Sequence, residues 1–118
     1  MSDARATSTR NARRALFEDA AAIIDAEYAR ELSVDEVARR IATSRRQLQR
    51  VFAEIAGTTF RGYIARVRLE RAADLLRAGS GSVPEIAAAV GYRSWTSFSM
   101  AFRRHHGMPP SALRRRNA

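Results

Sequence analysis

Apolar residues recur at helical spacing through most of the chain. The sharpest case lies within residues 38–55, read as ARRIATSRRQLQRVFAEI. Positions i, i+3, i+4 and i+7 of one helix are apolar there, and they are Leu48, Val51, Phe52 and Ile55. That spacing predicts a buried stripe. The other side of the same helix is polar or small, and it carries Arg45, Arg46, Gln49, Arg50 and Ala53.

Caps and breakers divide the rest of the chain into helices. Ser33 and Ser82 each precede a glutamate by three residues, and Ser44 precedes Gln47 by the same spacing, which is the pattern of a capping box. Glycines at 57, 79 and 107 end the helical patterns. The prediction is an all-α fold of about seven helices, over roughly residues 12–30, 33–41, 44–55, 58–77, 82–90, 95–106 and 109–113.

The chain also contains an internal repeat. Residues 33–38 (SVDEVA) match residues 82–87 (SVPEIA) at an offset of 49. After the turn the offset becomes 50, because residues 91–93 (GYR) are one longer than residues 42–43 (AT). Each copy reads as capped helix, short turn, helix and glycine, which is the helix-turn-helix pattern. Two copies in register are far more specific than one.

The repeat predicts a division of the chain. Residues 1–11 are expected to be a flexible arm, 12–57 the first helix-turn-helix subdomain, 58–78 a linker helix, and 79–118 the second subdomain with a basic tail. Two recognition helices held by a linker could enter successive major grooves about 34 Å apart. Because the copies are direct repeats with different surface residues, the site should be asymmetric and a monomer should suffice.

Charge supports a polyanionic partner. The 118 residues carry a net charge of +9, and all 21 basic residues are Arg. Residues 1–36 hold 8 acidic and 5 basic residues, whereas residues 37–118 hold 4 acidic and 16 basic ones. A basic field concentrated in one part of the chain indicates nucleic acid, with a solvated arginine surface as the plainer alternative.

Several other classes are disfavoured. The chain has no cysteine, which excludes a disulfide scaffold, a thiolate metal site and a cysteine nucleophile. No catalytic constellation or phosphate loop is present, so we expect no enzyme, cofactor or metal, and His105-His106 is interpreted as cationic charge at a helix end. No apolar run approaches the ~20 residues of a membrane span. A cytoplasmic, nucleoid-associated location is the expectation.

Taken together, the motifs resemble the DNA-binding domain of the AraC/XylS family of bacterial transcription regulators. Three segments carry the likeness: LSVDEVARRIATSRRQLQRVF, FRGYIARVRLERAADLL and SVPEIAAAVGYRSWTSFSMAFRRHHGMPPSALR. The resemblance covers about residues 16–115, and it leaves no room for a sensing domain, so the chain is similar to the small stand-alone members. It implies a monomeric regulator of asymmetric sites, an activator that engages RNA polymerase.

The resemblance also assigns base-facing positions, which are Arg46, Gln49 and Arg50 in the first unit and Trp95, Thr96, Ser99 and Met100 in the second. The family commonly has Arg where this chain has Met100, so the first unit is expected to supply most of the hydrogen-bonded base readout. Candidate phosphate contacts, which position rather than specify, are Ser44, Arg45, Arg93, Arg103 and Arg104. Arg114 to Arg116 are expected to form a solvated tail.

Two alternatives remain at this point. One is an architectural DNA-binding protein with little sequence preference. The other is an interaction module that binds RNA polymerase or another regulator through the acidic face of the first helix, with Glu18, Asp19, Asp25 and Glu27 as its candidate residues.

Overall fold

The computed structural model describes the backbone of residues 2–116 and the side chains of residues 7–114. Across this part of the chain the fold is all-helical, which confirms the predicted class. Its seven α-helices are α1 (Ser2–Glu27), α2 (Val34–Arg40), α3 (Arg45–Val51), α4 (Phe60–Ala78), α5 (Val83–Ala89), α6 (Trp95–His106) and α7 (Pro110–Arg116). A π-helical turn over Phe52–Ala56 continues α3 and ends at Gly57.

The first helix departs from the expected flexible arm, because α1 already begins at Ser2. The segment that precedes Arg13 contains neither glycine nor proline, and five of its twelve residues are Ala or Arg, which are strong helix formers. The helix is also tied to the fold near this end, since Arg13 Nη1 lies 3.3 Å from Glu54 Oε2. At its other end α1 stops at Glu27, and Tyr28–Glu31 leaves the helical path.

A serine hydroxyl caps the start of each helix of the two helix-turn-helix motifs. The hydroxyl accepts a hydrogen bond from the backbone N–H three residues on, at 3.1–3.2 Å, in Ser33, Ser44, Ser82 and Ser94. Such caps satisfy N–H groups that have no partner inside the helix. The caps at Ser33, Ser44 and Ser82 were expected from the sequence, whereas Ser94 has no Glu or Gln three residues later.

The cap of α5 is a complete capping box. Glu85 N–H donates to Ser82 Oγ, and Ser82 N–H donates back to Glu85 Oε1 at 3.0 Å. The hydrogen bond from the Ser82 backbone favours the ionised carboxylate and lowers the pKa of Glu85 from its ordinary value. The box therefore fixes both the start of α5 and the charge of Glu85.

The chain folds as two compact units. Unit 1 comprises Met1–Glu27 and Leu32–Ile64, and unit 2 comprises Tyr28–Glu31 and Ala65–Ala118. The boundary falls inside α4, so this helix contributes its first turns to one core and its remaining turns to the other. The expected division, with residues 58–78 as a separate linker, differs because α4 is apolar on more than one side.

Unit 1 is built around Phe52, whose side chain is fully buried. Its ring lies 5.2 Å from the Phe17 ring, 5.5 Å from the Phe60 ring and 5.2 Å from the Tyr63 ring, all in tilted or edge-to-face geometry. Such arrangements are the favourable ones for aromatic pairs. The cluster joins α1, the π-helical turn and the start of α4, and it therefore fixes the end of α3.

Unit 2 packs α5, α6 and α7 on the second half of α4, with Leu76, Ile86, Phe98 and Phe102 among its core residues. The half-buried Arg68 of α4 also holds Tyr28–Glu31 in place. Its Nε donates to the Tyr28 carbonyl at 2.7 Å and its Nη2 to the Arg30 carbonyl at 3.0 Å. Because both carbonyls accept from one rigid guanidinium, this short segment is fixed to α4.

Candidate nucleic-acid interface

The recognition helix of unit 1 has the two faces that its sequence predicts. Leu48, Val51 and Phe52 are buried, and Ile55 is half-buried. On the solvent side Arg46, Gln49 and Arg50 are all exposed, and two-thirds of the Arg50 side chain is accessible. The buried stripe therefore holds the helix while three long hydrogen-bonding side chains point into solvent.

The start of this helix carries two of the predicted phosphate contacts. Ser44 Oγ accepts the Gln47 N–H at 3.1 Å, and its own proton can still be donated outward. Arg45 Nε lies 3.1 Å from Asp35 Oδ1 of α2, and both side chains are more than half exposed. Exposed ion pairs of this kind are weak, so a phosphate can replace Asp35 as the partner of Arg45.

The recognition helix of unit 2 is α6, and it spans the predicted residues 95–106. Phe98 and Phe102 are fully buried, whereas Trp95 is 48% exposed and Met100 is 60% exposed. Thr96 is exposed as well. Trp95, Thr96 and Met100 thus supply two large apolar surfaces and one hydroxyl to solvent, where they are free to meet thymine methyl groups or sugars.

Ser99 requires a correction. It was expected to face the bases, yet its hydroxyl oxygen is buried and has no hydrogen-bond partner among the described residues. The equivalent residue of unit 1, Gln49, is exposed. The difference follows from reach, since a serine oxygen is one bond from Cβ whereas a glutamine amide extends past its neighbours. Ser97 is exposed and was not among the predicted site residues. Only its place on the outer face of α6 could have indicated that it is available to DNA.

The remaining predicted cations of unit 2 are exposed. Arg103 follows Thr96 and Met100 at i+7 and i+3, so these three residues share one face of α6. Arg104 lies beside them and is also exposed. Arg93 sits in the turn before α6, where its Nη2 lies 3.4 Å from Glu31 Oε2 in a solvent-exposed pair.

The two histidines and Arg114 have structural contacts. His106 Nε2 lies 3.0 Å from the Leu69 carbonyl, and His105 Nε2 lies 3.9 Å from Glu70 Oε1. Arg114, expected in a solvated tail, instead donates to the Gly81 carbonyl because α7 folds back on unit 2. The side chains of Arg115 and Arg116 lie outside the described residues.

Among residues 7–114 no group of three or more His, Asp or Glu side chains could hold a metal ion. Within the same part of the protein, no helix is both long and apolar enough to cross a bilayer.

Comparison with known proteins identifies the family and the fold of the chain. A family described as "Helix-turn-helix domain" matches residues 37–116. The regulatory protein SoxS of Escherichia coli is 36% identical over 101 residues, which are 86% of this chain and 94% of SoxS. The transcriptional activator RhaS of Escherichia fergusonii is 37% identical over 87 residues, 74% of this chain and 31% of RhaS. The chain spans about a quarter to a third of the length of the first five curated relatives it matches.

Solved structures of similar proteins support the same family and fold. An AraC-type transcriptional regulator from Chromobacterium violaceum superposes with a TM-score of 0.85 at 33% identity, covering 89% of this chain and 94% of that one. The DNA-binding domain of AdpA, solved in complex with a target DNA, gives a TM-score of 0.74 at 30% identity, covering 84% and 88%. The chain belongs to the AraC family of helix-turn-helix transcription regulators, a family of DNA-binding proteins and not of enzymes.

Proposed function

We propose that this protein is a sequence-specific transcription regulator that binds an asymmetric DNA site as a monomer. In this proposal α3 and α6 enter successive major grooves. The observation that carries it is the outer face of α3, where Arg46, Gln49 and Arg50 are exposed opposite an apolar stripe of buried and half-buried residues. Arginine reads guanine and glutamine reads adenine by paired hydrogen bonds, each contributing about 1–3 kcal/mol of discrimination.

In this proposal the two units have different roles in binding DNA. Unit 1 supplies the long donors and therefore most of the hydrogen-bonded readout. Unit 2 supplies Trp95, Thr96 and Met100, whose exposed surfaces suit apolar contacts and groove shape. Its exposed Arg103 and Arg104 suit phosphates, which fix orientation without reading sequence. One chain has two different reading surfaces, which is why the site is asymmetric and a second copy is not required.

Activation is the second part of the proposal. The relative RhaS is named a transcriptional activator. Glu18, Asp19 and Asp25 of α1 are exposed, and none of the three is assigned to DNA contact. An acidic surface is repelled by DNA and is available to RNA polymerase, which we propose as the protein partner.

Selection of bound sequences from random DNA tests the central claim. We expect two motifs separated by about one helical turn and unrelated in sequence. Affinity for the selected site should then be compared with affinity for random duplex in the wild type and in Arg50→Ala. The variant should lose about tenfold or more in the ratio of the two affinities, which corresponds to about 1.4 kcal/mol.

Arg77→Ala is the matched control, because Arg77 is exposed and lies at the end of α4, paired with Asp74 at 3.6 Å. It removes the same charge and should leave the ratio unchanged. A specificity ratio near one in the wild type would favour an architectural protein instead. Equal weakening of specific and random binding by Arg50→Ala would refute base readout by α3.

In vitro transcription tests activation separately. A template that carries the selected site upstream of a promoter should give more transcript when the protein is added. The triple variant E18Q/D19N/D25N should bind the site normally and lose the stimulation. Retained stimulation would rule out this acidic surface as the polymerase contact, and repression of the template would rule out activation.

A further inference from the structure

Unit 1 has a second basic surface beside its recognition helix. It is an open groove of about 460 Å³ between α1 and the π-helical turn, and its lining residues are Arg10, Asn11, Arg13, Arg14, Glu54 and Ile55. Three guanidinium groups and one carboxylate give the groove an excess of positive charge. The three arginines fall at i, i+3 and i+4 of α1, so they share one face of that helix.

Glu54 connects this groove to the base-reading face of α3. Its Oε2 lies 3.3 Å from Arg13 Nη1, and its Oε1 lies 3.6 Å from Arg50 Nε. One carboxylate therefore bridges an arginine of the groove and an arginine of the recognition surface. The basic groove and the outer face of α3 form one continuous surface. The sequence could not reveal it, because Arg13 and Glu54 are 41 positions apart.

The chemistry of the groove suits a phosphate. Guanidinium groups bind phosphate oxygens through paired N–H donors, and the Asn11 amide adds a donor of its own. The ion pairs of Glu54 are all exposed, with Arg13, Arg50 and Glu54 side chains 43%, 66% and 41% accessible. Exposed pairs are readily exchanged, so a phosphate can take the place of the Glu54 carboxylate on Arg13.

We propose that Arg10, Arg13 and Arg14 form an additional DNA-phosphate site on α1, which binds the backbone alongside the segment read by α3. In the free protein the Glu54 carboxylate occupies the position of that phosphate and pairs with Arg13. The proposal extends the interface beyond the two recognition helices. It concerns affinity and salt dependence, and it holds whether or not α3 discriminates between sequences.

The salt dependence of binding to random-sequence duplex is the test. Each phosphate neutralised contributes about −0.9 to the slope of log affinity against log salt concentration. The double variant R13Q/R14Q should therefore make the slope shallower by about 1–2. The loss should be equal on the selected site and on random duplex, because phosphates carry no sequence information.

The control is R61Q/R77Q, which removes the same charge from two exposed arginines of α4 outside the groove. It should change the slope by less than half as much as R13Q/R14Q does. The single variants R10Q and R14Q leave the Arg13–Glu54 pair intact, so they test the groove even if the double variant is destabilised. Each single variant should make the slope shallower by up to about 0.9.

Glu54→Gln should change the affinity for DNA in the opposite direction. It removes the carboxylate that competes with DNA, so it should raise affinity for random duplex and for the selected site by the same several-fold factor. An unchanged slope in R10Q, R14Q and R13Q/R14Q would overturn the proposal and make the groove an intramolecular contact only. Failure of Arg50→Ala to alter specificity would refute base readout by α3 instead, so the two failures are distinguishable.

Discussion

Ala42 and Gly91 occupy the same position in the two helix-turn-helix turns, and both have positive φ, at 56° and 105°. The hydrogen bonds around them also correspond. Thr43 N–H donates to the Ala38 carbonyl at 2.9 Å, and Tyr92 N–H donates to the Ala87 carbonyl at 3.0 Å. Since a left-handed backbone favours glycine, unit 1 has a strained residue where unit 2 has the residue that the turn prefers.

Replacing Ala42 by glycine should therefore stabilise the protein. Relief of the left-handed strain outweighs the larger entropy of an unfolded chain that contains glycine. We expect the free energy of unfolding to rise by about 0.5–1 kcal/mol. Urea titration followed by circular dichroism measures it, and a lower unfolding midpoint would contradict the assignment.

The reverse change at Gly91 should be costly. A Cβ there would lie 2.8 Å from the Ala29 carbonyl oxygen and 3.1 Å from the Arg68 guanidinium, in addition to the positive φ. Gly91→Ala should lower the free energy of unfolding by about 2 kcal/mol or more. The same urea titration measures it. A loss of stability no larger than the strain expected from φ alone would show that the Tyr28–Glu31 segment moves to relieve the clash.

Arg68 should contribute strongly to the stability of unit 2. Its two hydrogen bonds to backbone carbonyls involve a charged donor, and such bonds contribute about 1.5–3 kcal/mol. Arg68→Ala should cost about 2 kcal/mol, and Arg68→Lys should recover less than half of that, because an ammonium cannot reproduce the planar fork. Arg61→Ala, on the same helix and exposed, should stay within about 0.5 kcal/mol of the wild type.

The capping box of α5 predicts a dependence on pH. The pKa of Glu85 is lowered in the folded protein, so the folded state favours its ionised form. That stabilisation is present above the ordinary pKa of 4.5 and is lost as the pH falls through the lowered value. Unfolding midpoints of the wild type and Glu85→Gln should differ at neutral pH and converge as the pH falls below the lowered pKa of Glu85. A difference that persists in acid would point to an effect other than ionisation.

The two recognition helices should respond differently to substitution. Gln49→Ala should change which bases are preferred, because an exposed amide is lost from α3. Met100→Ala should mainly lower affinity, and Ser99→Ala should leave DNA preference unchanged, since its hydroxyl is buried. Sequence selection repeated with each variant checks the order. A shifted motif for Met100→Ala with an unshifted one for Gln49→Ala would reverse the ranking of the units.

Much of this fold was predictable from local patterns. The bounds of α6 agree with the prediction because two buried phenylalanines and a terminal glycine mark them. The start of α1 was missed because residues 2–11 lack apolar periodicity, and the ion pair that ties this end of the helix to the fold joins Arg13 to the distant Glu54. Local sequence carries no sign of such a contact.

The candidate site was predictable in outline and less so in detail. Burial of Leu48 and Phe52 on one side of α3 made the exposure of Arg50 a safe inference. The burial of the Ser99 hydroxyl could not be predicted from its correspondence with Gln49, because it depends on how far each side chain extends from its helix. Arg93 and Arg45, which were expected to contact phosphates, are exposed, and their pairing with acidic residues depends on how the chain folds.

The serine caps have a consequence for how the DNA preference of such a protein can evolve. Ser33, Ser44, Ser82 and Ser94 fix where the helices begin, and buried residues fix their rotation. Substitution of an outward residue of α3 or α6 therefore leaves the start and phase of the helix unchanged. We therefore expect such a protein to acquire new operators one position at a time, through intermediates that retain the fold.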